Sequence, residues 1–418
     1  MKINRIKPVV CAVVMLAAGG ESGETRRAEA PNPSAPLRLA GGLLNGADDA
    51  TWGFPEIPGA YVRVIYRADE QTGTFVNHPQ LAFFKGRMYA AFQLCPANED
   101  SSDSVAVYSS SSDLNEWTVP EVIGPPDVGN TFRASVGWLQ DSDRLYALIL
   151  RRDETFEVAQ TEYRFSTDGA NWSDLQVLIP DMMGSAGGRA VIPGGRILML
   201  GHGNREVDGR SQRETLVYYH AGGDFSTGWK QADTPQEILK YSSADKVTAR
   251  GIEPDWFRRP NGELVQVYRD IVRSGYVLAS VSTDDGERWS VPLLTDIPDS
   301  SNMQCAGNLP DGTCYMITTP GPVEKNNDRL QPRTPLVLWL SEDGVVFDRA
   351  FLVRRAPPRR RFEGKSKTFG YSYVGSLVHD GVLYIAYATN KEDIEMSCIP
   401  LNSLKGTDVT AGRRSAGF

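Results

Sequence analysis

A short turn motif recurs along this chain at a nearly constant spacing, and the spacing restricts the folds open to it. Its fullest copy is Ser282-Thr283-Asp284-Asp285-Gly286-Glu287-Arg288-Trp289, of the form Ser-x-Asp-x-Gly-x-x-Trp. Each fixed position has a task in a tight β-hairpin. Short Ser and Asp side chains hydrogen-bond backbone N–H groups a few residues on. Gly tolerates the positive φ of the turn. The Trp plugs into an apolar layer. Shortened copies begin at Ser111, Ser166 and Ser341, and a degenerate one contains Asp224 and Trp229. Asp113, Asp168, Asp284 and Asp343 stand about 55–59 residues apart, with one doubled gap that the degenerate copy divides. A repeat of that length built from short strands predicts one β-propeller blade per repeat. Accidental turns in a β-sandwich would not keep the period.

The rest of the chain fits an all-β, six-bladed propeller. Strand patterns with turn punctuation run from residue 75 onward, and blades two to five are expected to open near Phe132, Arg189, Ile252 and Met303. A sixth begins near Phe369 and lacks the turn motif. It is expected to take its last strand from residues 61–66, because closing the ring removes both sheet edges. The propeller is assigned to residues 51–410. Residues 1–30 read as an export signal: Lys2, Arg5 and Lys7 precede an apolar run too short to span a membrane. Export implies a secreted or periplasmic protein. Residues 31–50, rich in Ala, Gly and Pro, read as a disordered leader. A formal net charge of −8 argues against nucleic acid as a partner. No Cys/His set has metal-ligand spacing and no phosphate-cradling loop appears, so neither metal nor cofactor is expected. Cys305 and Cys314 flank the turn at Pro310-Asp311-Gly312. They form either a cross-hairpin disulfide or two free buried thiols. The basic loop 354–367 is either a solvated connection or the rim of a site for an acidic ligand.

A propeller brings residues far apart in sequence to one axial mouth, and function must be argued from those residues. Over roughly residues 75–400 the sequence resembles the sialidase (neuraminidase) family of Asp-box, or BNR-repeat, proteins. Ile252-Glu253-Pro254 followed by Val267-Tyr268-Arg269 looks like that family's Glu-Pro hairpin closed by an Arg. Arg333, ahead of a blade-five strand, and Tyr371 in Tyr371-Ser372-Tyr373-Val374-Gly375-Ser376-Leu377 match its second Arg and its nucleophilic Tyr. Tyr373, two residues on, competes for the same role. The resemblance implies that Glu253 takes the Tyr proton, that Glu99 or Asp100 is the general acid/base, and that arginines grip a sugar carboxylate. The family opens blade one with Arg-Ile-Pro. This chain has Asn77-His78-Pro79 instead, so Asn77 stands for an arginine and His78 enters the site. Arg133 and Arg189, near the openings of blades two and three, are candidates for the missing charge. His202, His220 and His379 read as structural.

Three functions follow. The first is a secreted exo-glycosidase releasing a terminal acidic sugar through a Tyr adduct. The second is a lyase or atypical glycosidase at a uronic acid, with His78 and a Tyr as base and acid. The third is a non-catalytic propeller that binds acidic glycans.

Overall fold

The computed structural model describes residues 34–44 and 51–405, apart from 128, 155–156, 193, 208–209, 225, 236–238, 241–247, 250, 272 and 322–331. The expected export signal lies outside the described residues. Six four-stranded antiparallel sheets form six blades in chain order. Their innermost strands are Phe75–Phe84, Thr131–Gln140, Met183–Val191, Gly251–Arg258, Cys305–Asn308 and Tyr371–His379. The sixth sheet is completed by Tyr61–Tyr66, which pairs antiparallel with Asp393–Pro400 and closes the ring. Among the described residues, the one helical element is the short turn Leu401–Leu404. It is far too short to cross a membrane.

The inner strands of the blades are largely buried on both faces, and several read as near-continuous apolar runs. Leu336–Ser341 shows how the pleat divides such a run. Leu336, Leu338 and Leu340 pack with blade six, whereas Val337 and Trp339 pack with blade four. The core is thus a ring of apolar layers, each shared by two neighbouring blades. The recurrent turns lock the outer hairpins. Ser282 Oγ accepts the Gly286 N–H at 2.9 Å, and Asp284 Oδ1 accepts the Arg288 N–H at 2.9 Å. Gly286 has a φ of 88°, and a Cβ there would meet the Leu198 side chain at 2.8 Å.

One expectation is corrected, and one open alternative is decided. Residues 34–44 were assigned to a disordered leader, yet Arg38–Leu39 pairs in parallel with Val346–Phe347. Leu37, Leu39 and Leu43 are buried in the layer between blades four and five. The alternating Leu37-Arg38-Leu39 offers an apolar edge that covers blade five, and this outweighs its Pro- and Gly-rich flanks. The Cys305–Cys314 disulfide does not form. Asn308, not Cys305, stands opposite Cys314, and both thiols are free. They point to opposite faces of the sheet, Cys305 toward blade six and Cys314 toward blade four.

Two outcomes follow. Trp339 is fully buried, donates its indole N–H to Thr318 Oγ1 at 2.9 Å and meets Phe54 edge-on. Trp339→Ala should therefore cost about 3–5 kcal/mol by guanidinium denaturation. An unchanged midpoint would rule out the two-sided packing of blade five. In denaturant without reductant, a thiol reagent should modify both Cys305 and Cys314; protection of the pair would restore the disulfide.

Candidate active site at the propeller axis

A cavity of about 330 Å³ opens on the axis, lined by residues from blades one, two, three, four and six together with Arg333. Local backbone irregularity explains which side chains reach it. In five of the six innermost strands the pairing register shifts partway along: at Asn77/Gln80, Ser135/Gly137, Gly184/Arg189, Ile252/Asp255 and Ser372/Gly375. A bulge of this kind re-aims a side chain that regular alternation would bury between blades. Three bulges place a large non-glycine residue at positive φ: His78 at 57°, Glu253 at 54° and Tyr373 at 53°. All three line the cavity. Such conformations cost about 1–3 kcal/mol each and persist only where the surroundings enforce them. At Tyr373 the enforcing residue is Asn302. Its Nδ2 donates to the Tyr371 carbonyl at 2.9 Å, and its Oδ1 accepts the Tyr373 N–H at 3.4 Å. Gly375 then lets this strand approach blade one, since a Cβ would lie 2.4 Å from the Pro79 carbonyl oxygen.

The three residues meet. Tyr373 donates its phenolic proton to Glu253 Oε1 at 2.9 Å, and Arg269 Nη1 lies 3.0 Å from Glu253 Oε2 and 3.4 Å from Tyr373 Oη. The His78 ring packs 4.3 Å from the Tyr373 ring, centroid to centroid. Burial is the largest influence and opposes the Glu253 charge, but Arg269, His202 and the Tyr373 hydrogen bond together hold the carboxyl down at about 2. Burial also pushes the Tyr373 hydroxyl well above its usual value and pulls His78 down to about 4. At neutral pH the site therefore holds a Tyr–carboxylate pair beside an uncharged imidazole.

Cations surround this group. The Arg333 guanidinium lies 5.8 Å from the Tyr373 ring centroid and donates to Ser372 Oγ at 2.9 Å. Lys391 Nζ lies 5.5 Å from the same centroid and donates to Glu99 Oε1 at 2.7 Å. Arg152 and Arg273 complete five cationic lining residues against three carboxylates, Glu99, Asp100 and Glu253. Asp100 pairs with Arg152; burial, then the Glu99 charge, raises its pKa. Burial opposes ionisation of Glu99, and Lys391 more than reverses this.

Other sequence candidates lie elsewhere. Tyr371 is fully buried between blades five and six, against Tyr387, and donates to the Arg355 carbonyl at 2.6 Å. The bulge after Ser372 breaks the alternation that would have kept the two tyrosines on one face. Arg133 is held inside blade two by Glu162 at 2.6 Å and Asp127 at 3.6 Å, off the cavity wall. Asn77 is buried behind the wall and donates to Glu99 Oε1 at 2.9 Å, so it orients that carboxylate. The strand position of Arg189 is opposite Met199, but its side chain lies outside the described residues. His202, read as structural, lines the cavity near Ser185.

Sequence reasoning missed Lys391 and Asn302. Lys391 sits in the hairpin turn between the second and third strands of blade six, where Asn390 and Lys391 both have positive φ. An Asn-Lys pair between two apolar runs is a readable turn signal, but nothing local says that the turn docks on blade one through the Val76 N–H. The basic loop turns out to secure that turn. Glu392 accepts the Arg361 and Phe362 N–H groups and receives the buried Lys367, whose Nζ also bonds the Thr74 carbonyl at 2.6 Å. Arg361 pairs with Asp393, and Arg354 with Glu395. Only Ser366 of the loop, with neighbouring Thr368, reaches the cavity wall. Among the described residues no cluster of His, Cys, Asp or Glu is suited to hold a metal ion.

A ring of six blades with its polar cavity on the axis is a sialidase-like propeller. A family model described as BNR repeat-like domain matches residues 86–385, and the chain belongs to that family. Among solved structures, a protein of unknown function from Dyadobacter fermentans superposes with a TM-score of 0.61 at 16% identity, over 82% of this chain and 99% of that one. The intramolecular trans-sialidase from Ruminococcus gnavus, in complex with oseltamivir carboxylate, gives 0.57 at 15% over 86% and 100%. Trypanosoma rangeli sialidase, in complex with 2,3-difluorosialic acid as a covalent intermediate, gives 0.59 at 14% over 84% and 60%. No curated protein sequence matches the chain. Likeness at these identities carries the fold.

The buried neutral imidazole sets a pH dependence. His78 titrates near 6.5 in an unfolded chain and near 4 in the fold, so the unfolded state binds its proton first. The fold should lose stability as pH falls from about 6.5 to about 4, and Glu253 should add a further loss from about 4.5 toward 2. Melting temperatures across this range, compared with His78→Asn, test the assignment. If the variant keeps the wild-type slope between 6.5 and 4, His78 is not its source.

Proposed function

We propose that the protein is an exported glycoside hydrolase that releases a terminal acidic sugar, sialic acid or a relative, with retention. The observation that carries this reading is the 2.9 Å hydrogen bond from Tyr373 to Glu253 at the floor of a cation-lined cavity. Tyr373 Oη attacks the anomeric carbon while Glu253 takes its proton. Asp100, whose raised pKa favours the protonated form, gives a proton to the departing glycosidic oxygen. The bond to the aglycone breaks as the Tyr–sugar bond forms. Water, deprotonated by Asp100, then attacks the same carbon and returns Tyr373 to its phenol, the proton passing back from Glu253. A neutral nucleophile suits a substrate whose carboxylate would repel a carboxylate nucleophile, and sialidases are the known Tyr exception to the two-carboxylate scheme. Arg269, 3.4 Å from Tyr373 Oη, stabilises phenolate character as Tyr373 leaves the adduct. The cationic lining of the cavity receives the sugar carboxylate. The basic start of the sequence and its apolar run support export.

His78 favours a second reading, a lyase acting at a uronic acid. Its buried Nδ1 has no hydrogen-bond partner and its ring lies against Tyr373. The pair would remove the proton beside a carboxylate neutralised by cations and return one to the leaving oxygen. A lyase product carries an unsaturated sugar that absorbs in the near ultraviolet, whereas the hydrolytic product does not.

A fluorogenic sialoside tests the first reading. Glu253→Gln should lower kcat/KM by about 10²–10⁴-fold, and Tyr373→Phe by at least as much. Tyr371→Phe should leave turnover unchanged and cost only about 1 kcal/mol of stability for its buried hydrogen bond. Turnover that survives Tyr373→Phe but is lost in Tyr371→Phe would overturn the assignment.

A further inference from the structure

We infer that Lys391 is a specificity-determining residue. Its ammonium, together with the Arg333 guanidinium, forms the subsite for the carboxylate of an acidic sugar. This rests on the reading of the cavity as an acidic-glycan site and assigns the charge that selects for the acid.

Three observations carry it. Arg333 is buried, and its guanidinium hydrogen-bonds uncharged oxygens: Ser372 Oγ at 2.9 Å and the Ser301 carbonyl at 3.4 Å. Among the described residues no carboxylate hydrogen-bonds this desolvated guanidinium; the charges of Glu253 and Glu99 act on it from a distance, and an anion in contact would relieve its cost. Arg269 cannot supply the whole of a carboxylate grip, because its Nη1 already bonds Glu253. Lys391, whose side chain is 4% exposed, brings a second charge to the same Tyr373 ring that Arg333 faces. Burial most of all, and also Arg333 and Arg269, disfavour its charge, and Glu99 offsets them only in part. Glu99 is in turn shared with Asn77. An ammonium has three donors, and its one recorded hydrogen bond is to Glu99, so a bound carboxylate can join Glu99 in its shell.

The arrangement differs in kind from a set of guanidinium forks. Arg333 offers planar, two-point recognition, and Lys391 offers a compact point charge on a flexible stem. The stem is restrained by the Phe75 ring, whose centroid lies 5.4 Å from Nζ, and the backbone by the Val76 N–H. Lys391 therefore acts on the charge of the sugar, and a ligand without that charge gains nothing from it.

Calorimetric titration of the full chain with N-acetylneuraminic acid and glucuronic acid, each beside its methyl ester, tests this. Wild type should bind at least one free acid about tenfold or more tightly than its ester, as expected for a charged hydrogen bond. Lys391→Met should collapse that ratio while leaving ester affinity unchanged, and Lys391→Arg should restore it. A purely structural role for Lys391 would weaken acid and ester alike, and that result, or an unchanged ratio in Lys391→Met, overturns the inference. Should Lys391→Met not fold, Lys391→Gln, which keeps a donor toward Glu99, is read the same way. A wild type that prefers an acid but hydrolyses no glycoside of it supports the subsite and removes the hydrolytic reading. A wild type indifferent to the carboxylate in both pairs removes the subsite itself.

Discussion

Burial of the blades' inner strands on both faces is the constraint from which the site follows. A regular strand in such a sheet sends alternate side chains into the two flanking layers, as Leu336–Ser341 does, and leaves none for the axis. Polar side chains of the innermost strands enter the ring where regular pairing fails, whereas Arg152 and Arg269 reach it from regularly paired second strands. The bulges at Asn77/Gln80, Ile252/Asp255 and Ser372/Gly375 are those failures, and each carries one residue at positive φ that faces the cavity. The strain at His78, Glu253 and Tyr373 is borne by the surrounding layers, and Asn302 shows how: both ends of its amide grip the bulged backbone.

Electrostatics then sets the charge states within the cavity. Glu253 is ionised because Arg269 sits against it, and Tyr373 is neutral because burial disfavours the phenolate. The positive excess around the Tyr373 ring is stable because its members are anchored separately. Arg333 is fixed by oxygens of blades five and six, and Lys391 by Glu99 and a turn that the basic loop pins through Glu392. The loop's positive charge thus serves the architecture, and only its product, the position of Lys391, reaches the site.

Much of this was legible from residue order. The spacing of the Ser-x-Asp turns predicted six blades, and the absence of a turn motif from the last predicted closure by residues 61–66. Glu253, Arg269, Arg333, Asp100 and His78 were candidates from local pattern, and the fold brings them to one cavity. The errors share a cause. Tyr371 and Tyr373 were inseparable because strand alternation puts i and i+2 on one face, and no sequence signal marked the bulge between them. Arg133 failed because its partner Glu162 lies two strands away in the same blade. The two readings of Cys305 and Cys314 stayed open because opposite-face placement depends on register, and Lys391 was overlooked because a hairpin turn does not announce what it docks against.

By itself the sequence determined the number of blades and the closure of the ring, because these depend on the turn period and on strand patterns, which are local along the chain. Tertiary structure alone decided which tyrosine faces the axis, which cations line the cavity and which carboxylates stay charged. Those outcomes depend on bulges, register and burial set by residues from different blades, whose contacts exist only once the ring is closed.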